Sequence, residues 1–262
     1  MKPITLSELL TRATTEHWAV GHFNISNNEQ LRAIFEAAAA KNSYVIIGAS
    51  EGERKHIGLK QVVALVHAYE EEFGIPMFLN ADHSKTFESA RDAAHAGFNS
   101  IHIDASEYPY EKNIEITKTV VDYVKKINPS ISIEGELGFV PGESRVENKA
   151  VSIEESQYTD SMRVADFVQS TGIDRLAIFV GNVHGLHTSE PKLDIIRIRQ
   201  IRDGLQKKVT LTLHAGSGIL DEPMRNAVMA GIANVHINTD IRVAFTNALR
   251  EEIAAHSEEI TP

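Results

Sequence analysis

Short runs rich in β-branched and other apolar residues recur along the chain. Between them lie longer stretches whose apolar residues return every three or four positions. The short runs cover residues 18–25, 44–50, 77–83, 100–106, 130–138, 175–185, 208–218 and 234–240, and they predict eight strands. The longer stretches, among them 29–41, 59–73, 87–96 and 113–127, predict amphipathic helices. Strands that alternate with helices form parallel βαβ units. Eight such units in 262 residues predict one α/β domain, residues 1–262, closed as a single (β/α)8 TIM barrel. A further helix over residues 7–14, opened by a capping box of Thr5 and Glu8, is expected to cover the barrel bottom. The connection from Phe139 to Asp160 is long and contains Pro141, Gly142, Glu143, Ser144 and Arg145. Loops of that length on the βα side of a barrel serve as lids or catalytic loops, or are surface insertions.

Hydrophobic residues make up 42% of the chain and charged residues 24%, which suits a packed core. The formal charge of −10 repels nucleic acid and anionic lipid, so neither is an expected partner. A phosphate ligand would then need locally placed donors. The chain has no cysteine, which excludes a disulfide scaffold and a thiolate metal site. The first residues carry no apolar signal core, and no run approaches the ~18 apolar residues of a membrane span. A cytoplasmic protein is the expectation.

Active sites of such barrels lie at the C-terminal ends of the strands. The third strand ends in Asp82-His83, the fourth at Asp104 and the fifth at Glu136. The sixth ends in Asn182-Val183-His184-Gly185, the seventh in His214-Ala215-Gly216-Ser217-Gly218 and the eighth in Asn238-Thr239-Asp240. Three histidines, His83, His184 and His214, thus meet at one rim. Three imidazoles with an open fourth position describe a catalytic zinc site. The Gly-Ser-Gly turn after the seventh strand and the residues after the eighth form the usual phosphate pocket of these barrels.

Several stretches resemble the class II fructose-bisphosphate aldolases: Gly21-His-Phe-Asn24, Ser50, Asp82-His83, Ile103-Asp-Ala-Ser106, Glu134-Gly-Glu-Leu-Gly138, Tyr158-Thr-Asp160, Gly181-Asn-Val-His-Gly185, Leu213-His-Ala-Gly-Ser-Gly218 and Asn238-Thr-Asp-Ile-Arg242. They span nearly the whole chain. The resemblance implies reversible cleavage of fructose 1,6-bisphosphate into dihydroxyacetone phosphate and glyceraldehyde 3-phosphate. It implies His83, His184 and His214 as Zn²⁺ ligands, with another divalent ion as an alternative and a monovalent cation as a further cofactor. Asp104 and Glu136 match carboxylates near a buried alternative metal position. Asp82 matches the acid/base on the aldehyde-side oxygen, and Glu143 lies in the loop that carries the carbon base. Gly185, Gly216 and Ser217 match the phosphate cradle. Asn24, Ser50, Asn238, Thr239 and Asp240 match other substrate contacts, and Arg242 matches an arginine on the far phosphate. A homodimer or homotetramer is also implied.

The chemistry is coherent, because a divalent Lewis acid on the ketone oxygen removes the need for a lysine Schiff base. Asp82 is expected to face away from the metal side of the strand end, moving protons or orienting an imidazole. The chain departs from the family pattern at Ser84, Ala215, Ser144 and Asn238. Tagatose 1,6-bisphosphate or a sugar-acid phosphate stays open as substrate, as do a zinc hydrolase and a non-catalytic sugar-phosphate-binding barrel. His22, His102 and His236 stand where the family has other residues. By strand parity they point into the barrel with Glu134. They form either a network supporting the metal, an additional metal position, or three independent core histidines.

Overall fold

The computed structural model describes residues 4–146, 153–154, 157–188, 192–205 and 209–260. Residues 147–152 and 155–156 of the long connection, and Lys208 at the start of the expected seventh strand, lie outside the described residues. Eight parallel strands close a barrel: β1 (Val20–Asn24), β2 (Ile46–Ala49), β3 (Phe78–Ser84), β4 (Ser100–Ile103), β5 (Ser132–Leu137), β7 (Arg175–Ile178), β9 (Thr210–Leu213) and β10 (Ile232–Ile237). They neighbour one another in chain order, and β10 closes on β1 with Val20 opposite Asn234 and His22 opposite His236. Two short strands, β6 (Gly142–Val146) and β8 (His184–Leu186), pair outside the barrel.

The helices pack on the outer face. Among them α2 (Asn28–Lys41), α4 (Leu59–Phe73), α5 (Phe87–Ala96) and α6 (Tyr110–Ile127) match the amphipathic stretches to within three residues. Their starts follow local chemistry: Asn27 and Thr86 accept backbone N–H bonds at the first turns of α2 and α5. Outward-facing Ile47, Leu79, Ile101, Ile133, Leu176 and Leu211 meet the apolar helix faces in the main core. The N-terminal helix, α1 (Leu6–Glu16), carries the expected capping box, with Glu8 N–H donating to Thr5 Oγ1 at 3.2 Å and Thr5 N–H to Glu8 Oε2 at 2.9 Å. Its Leu6, Leu9, Leu10 and Ala13 pack on Val20, Ile46, Phe78 and Ala233 and plug the N-terminal end.

One strand differs from its expected form. Residues 175–185 do not run as one strand; β7 stops at Ile178, and His184 lies on β8. Gly181, at φ +102°, turns the chain between them. Asn182 then fixes the break, its Oδ1 accepting from Val180 N–H at 2.8 Å and its Nδ2 donating to His214 O at 3.1 Å. The long connection is also not plain loop, because Gly142 pairs with His184 and Val146 with Leu186. Gly142 has φ +98°, and a Cβ there would sit 2.5 Å from His184 O, so only glycine permits this close approach.

Below the rim the barrel interior is polar, where such barrels usually hold branched apolar side chains. Arg175 is fully buried and its Nη1 lies 3.0 Å from Glu134 Oε2 and 3.1 Å from Asn234 Oδ1. Its Nη2 donates to Asn80 Oδ1 at 3.1 Å and to Ser100 Oγ. A charge removed from water this completely is tolerable only when it is paired and hydrogen-bonded. Arg175→Met leaves Glu134 buried without its countercharge and is expected to destabilise the fold by roughly 3–5 kcal/mol in urea denaturation. Adding Glu134→Gln to that variant is expected to restore part of the loss, since both charges are then gone.

Candidate metal and sugar-phosphate site

The C-terminal ends of the barrel strands open into a cavity of about 760 Å³. Its walls include Asn24, Ser50, Asp82, His83, Asp104, Glu143, His184, Gly185, His214, Ser217, Asn238, Thr239 and Arg242. Three expected site residues sit just outside it. Glu136 is buried beneath, Gly216 donates its N–H to His236 O at 2.8 Å, and Asp240 is an exposed residue in the first turn of α10 (Thr239–Ala255).

His83 and His214 face each other, with His83 Nε2 3.2 Å from His214 Nδ1. Two ligands of a tetrahedral ion at ~2.0–2.1 Å lie about 3.4 Å apart, so this spacing suits one edge of a metal site. The opposite nitrogens are each held by a carboxylate. His83 Nδ1 lies 2.9 Å from Asp104 Oδ2, and His214 Nε2 lies 2.7 Å from Glu134 Oε1. That carboxylate–histidine arrangement is what orients imidazoles toward a metal. His184, on β8, stands further off, its ring 5.4 Å from that of His83 and 6.3 Å from that of His214 between centroids; His83 and His214, with Asp82 and His102, bring donor atoms within 4.8 Å of one another, and His184 is outside that group. Burial pushes the His184 imidazole down to about 3, aided by the neighbouring His83 and His214, so it is neutral and able to ligate. The donors present therefore fit a divalent ion.

Asp82 departs from its expected direction. It shares the cavity wall with His83 instead of facing away. The β3–β4 register shifts between Ala81 and Ser84, and His83 has φ +44°, so the strict alternation of the strand is broken here. Ala215 is likewise left-handed at φ +56°. Such conformations are strained for residues with a Cβ and gather at functional sites. Asp82 Oδ2 accepts from Asn24 Nδ2 at 3.0 Å. Burial opposes its charge, but the adjacent His83 and the contacts from His102 and His236 outweigh it and hold the carboxyl well below the usual range. Asp82 is thus an ionised carboxylate oriented by Asn24.

The three unexpected histidines converge rather than standing apart. Register places His22 opposite His236 and His102 opposite Glu134. His236 Nδ1 lies 3.4 Å and His102 Nδ1 3.7 Å from Asp82 Oδ1, close but not aligned as hydrogen bonds. His102 Nδ1 accepts from His83 N–H at 3.2 Å, and its Nε2 lies 3.2 Å from Glu136 Oε2, again close but not aligned as a hydrogen bond. The His22 and His236 rings stack at 3.5 Å with planes 7° apart. An ion between parallel rings would lie far out of both ring planes, so this pair suits packing beneath Asp82 better than shared ligation. A Cβ on Gly48 would sit 2.1 Å from His22 Cε1, so that glycine makes room for the stack.

The chain matches the model of the family described as "Fructose-bisphosphate aldolase class-II" over residues 4–262. It belongs to that family. The fructose-bisphosphate aldolase of Geobacillus stearothermophilus is 39% identical over 257 residues, which is 97% of this chain and 87% of that one. The crystal structure of the YdjI aldolase from Escherichia coli K12 superposes with a TM-score of 0.81 at 30% identity, over 95% of this chain and 86% of that one. The fructose-bisphosphate aldolase structure from Campylobacter jejuni, at 24% identity and a TM-score of 0.75, covers 99% of this chain and 83% of that one and shares the fold. This class II aldolase is therefore an aldehyde-lyase of a metal-dependent family acting on phosphorylated sugars. No described helix is long and apolar enough to cross a membrane.

Sequence reasoning missed Glu53. It lies in α3 (Glu51–Ile57), buried at 4% exposure, where its Oε2 accepts from Ser50 N–H at 2.7 Å and from Asn24 Nδ2 at 3.0 Å. The Ser50-x-x-Glu53 spacing after β2 was the available signal. Arg175 and Asn80 were missed as well, having no motif to mark them. Glu143 borders the cavity, yet its side chain is 73% exposed, with Arg145 Nη1 at 3.4 Å.

Metal binding should depend on pH through His83. Burial disfavours its cation, but Asp82 and Asp104 outweigh burial and raise its pKa. A raised pKa keeps the proton on to higher pH, and that proton must leave before the imidazole can ligate. Zn²⁺ affinity measured by calorimetry is expected to rise by up to about tenfold per pH unit until His83 is deprotonated, then to level off. His83→Ala is expected to flatten that slope.

Proposed function

We propose that this aldolase reversibly cleaves fructose 1,6-bisphosphate into dihydroxyacetone phosphate and glyceraldehyde 3-phosphate, with Zn²⁺ held by His83, His184 and His214. The observation that carries it is the facing His83–His214 pair beside an ionised Asp82 in one cavity. When bound, the divalent ion supplies Lewis-acid stabilisation of negative charge at the ketone oxygen. The carboxylates of Asp104 and Glu134 hold the two imidazoles in their ligating orientation.

Asp82 takes the proton of the C4 hydroxyl, with Asn24 fixing the carboxylate. The C3–C4 bond then breaks. Its electron pair stays on the ketone-side fragment, and the aldehyde carbonyl forms on the other. Glu143 returns a proton to C3 of the ketone-side fragment, and in condensation removes it. Its loop is anchored beside the site, because β6 pairs with the β8 strand that carries His184.

The ketone-side phosphate belongs at the start of α10. There Ser217 Oγ accepts from Asp240 N–H at 3.2 Å, and Gly218 N–H donates to Asp240 Oδ2 at 3.2 Å. An anionic oxygen can replace the Asp240 carboxylate at the Gly218 N–H, with the Ser217 hydroxyl free to turn and donate, and the helix N-terminus favours it. Gly185, Gly216 and Thr239 flank this position, and Asn238 reaches away from it toward Glu53. Asp104 and Glu136, with His83, offer donor atoms for a second, deeper metal position. A homodimer or homotetramer and a monovalent cation are proposed from family resemblance, and the cytoplasm is the proposed compartment.

Cleavage of fructose 1,6-bisphosphate in a coupled assay should vanish with a chelator and return with Zn²⁺. Asp82→Asn is expected to lower kcat by about 10²–10⁴-fold, in the range of general acid–base contributions, while retaining metal. Metal-loaded wild type without cleavage would remove the aldolase reading.

A further inference from the structure

The aldehyde-side end of the cavity is organised by one buried carboxylate, that of Glu53. Glu53 Oε1 accepts from Arg242 Nη2 at 2.6 Å and from Asn238 Nδ2 at 3.4 Å. Its Oε2 accepts from Asn24 Nδ2 and Ser50 N–H. Ser26 Oγ also donates to Oε1 at 3.4 Å, so five polar groups converge on this buried anion. Asn24 also donates to Asp82, so Glu53 is linked through one amide to the proton-transfer carboxylate.

The charge balance there is unfavourable for a second phosphate. Among the described residues Arg242 is the cation placed at that end, with its side chain 40% exposed, and Glu53 already pairs with it. Lys85 on the same wall pairs with Glu107 at 2.9 Å. Arg54 lies nearby but is buried, its guanidinium donating to Ala49 O, Asp82 O, Ser84 Oγ and Ser89 Oγ. A phosphate dianion approaching Arg242 meets an ion pair instead of an uncompensated cation, and much of the attraction is cancelled. Hydroxyl groups lose nothing by that cancellation, and the amides of Asn24 and Asn238 offer them partners.

We propose that Glu53 is a specificity-determining positioning residue that makes this aldolase nearly indifferent to the distal phosphate, so that ketose 1-phosphates are substrates alongside ketose 1,6-bisphosphates. The inference rests on the aldolase reading above. Glu53 acts through Arg242 and Asn24, and its effect is on substrate choice rather than on the chemical step.

The test compares kcat/KM of the Zn²⁺-loaded enzyme for fructose 1,6-bisphosphate and for fructose 1-phosphate. The wild-type ratio is expected to stay below about tenfold, and a ratio of tenfold or more overturns the proposal. Glu53→Gln keeps the side-chain shape but removes the charge that compensates Arg242. It is expected to raise the ratio by about fivefold or more, mainly through a lower KM for the bisphosphate, and a smaller change overturns the proposal. Glu53→Asp, which retains the charge, should return the ratio toward wild type; a purely structural role would not sort the variants by charge. Should Glu53→Gln not fold, the wild-type ratio still decides. Cleavage of neither ketose removes the aldolase reading and this inference together, whereas a large ratio removes the inference alone.

Discussion

Glu134 sits in the middle of the barrel, buried on every side, and the arrangement above and below depends on its charge. Arg175 approaches it from below, Thr212 Oγ1 donates to it at 2.8 Å from the side, and His214 bonds to it from above. Burial alone would push its carboxyl up, but the Arg175 charge and the His214 bond overcome that and hold it well below the ordinary range. A buried carboxylate with these partners stays ionised, and an ionised Glu134 fixes which nitrogen of His214 turns toward His83. The orientation of His214, the ligand proposed above, is thus set by a charge pair one layer deeper in the fold.

The same logic runs up the barrel wall. Asp104 does for His83 what Glu134 does for His214. Among the described residues the Asp82 carboxylate is surrounded by Asn24, His102 and His236. An interior of this kind gives up apolar burial, since polar groups out of water must satisfy one another. The fold compensates on its outer face, where one continuous apolar core joins strands and helices, and at the bottom, where α1 seals the barrel. Stability is carried outside and below, which leaves the interior and upper rim for chemistry.

The two left-handed residues at the rim belong to this division. His83 and Ala215 follow the strands that place them, and each turns its chain sharply at the cavity. Ala215 accepts the strained backbone with its methyl buried against Val140 and Phe179. Glu143 sits differently, on a strand pair outside the barrel, exposed and tied to the rim mainly through the β6–β8 pairing. That placement separates the buried His214 and Asp82 from a more peripheral acid.

Periodicity in the sequence determined the fold class, because alternating period-two and helical patterns leave few arrangements besides a parallel barrel, and the capping box at Thr5 and Glu8 marked its first helix. The sequence also determined the set of rim residues, since strand ends in a barrel all point to one opening. The inward direction of His22, His102 and His236 was legible from strand parity, but what they touch was not. Contacts between residues far apart in the chain depend on register across the closed sheet, and a single strand carries no information about its neighbour's register. The Arg175–Glu134 pair, the Glu53–Arg242 pair and the stacked His22 and His236 rings were therefore settled only in three dimensions. The break after Ile178 and the bulge that turns Asp82 and His83 to the same wall were also decided there, because local hydrogen bonds and a left-handed residue overrode the alternation that parity assumes.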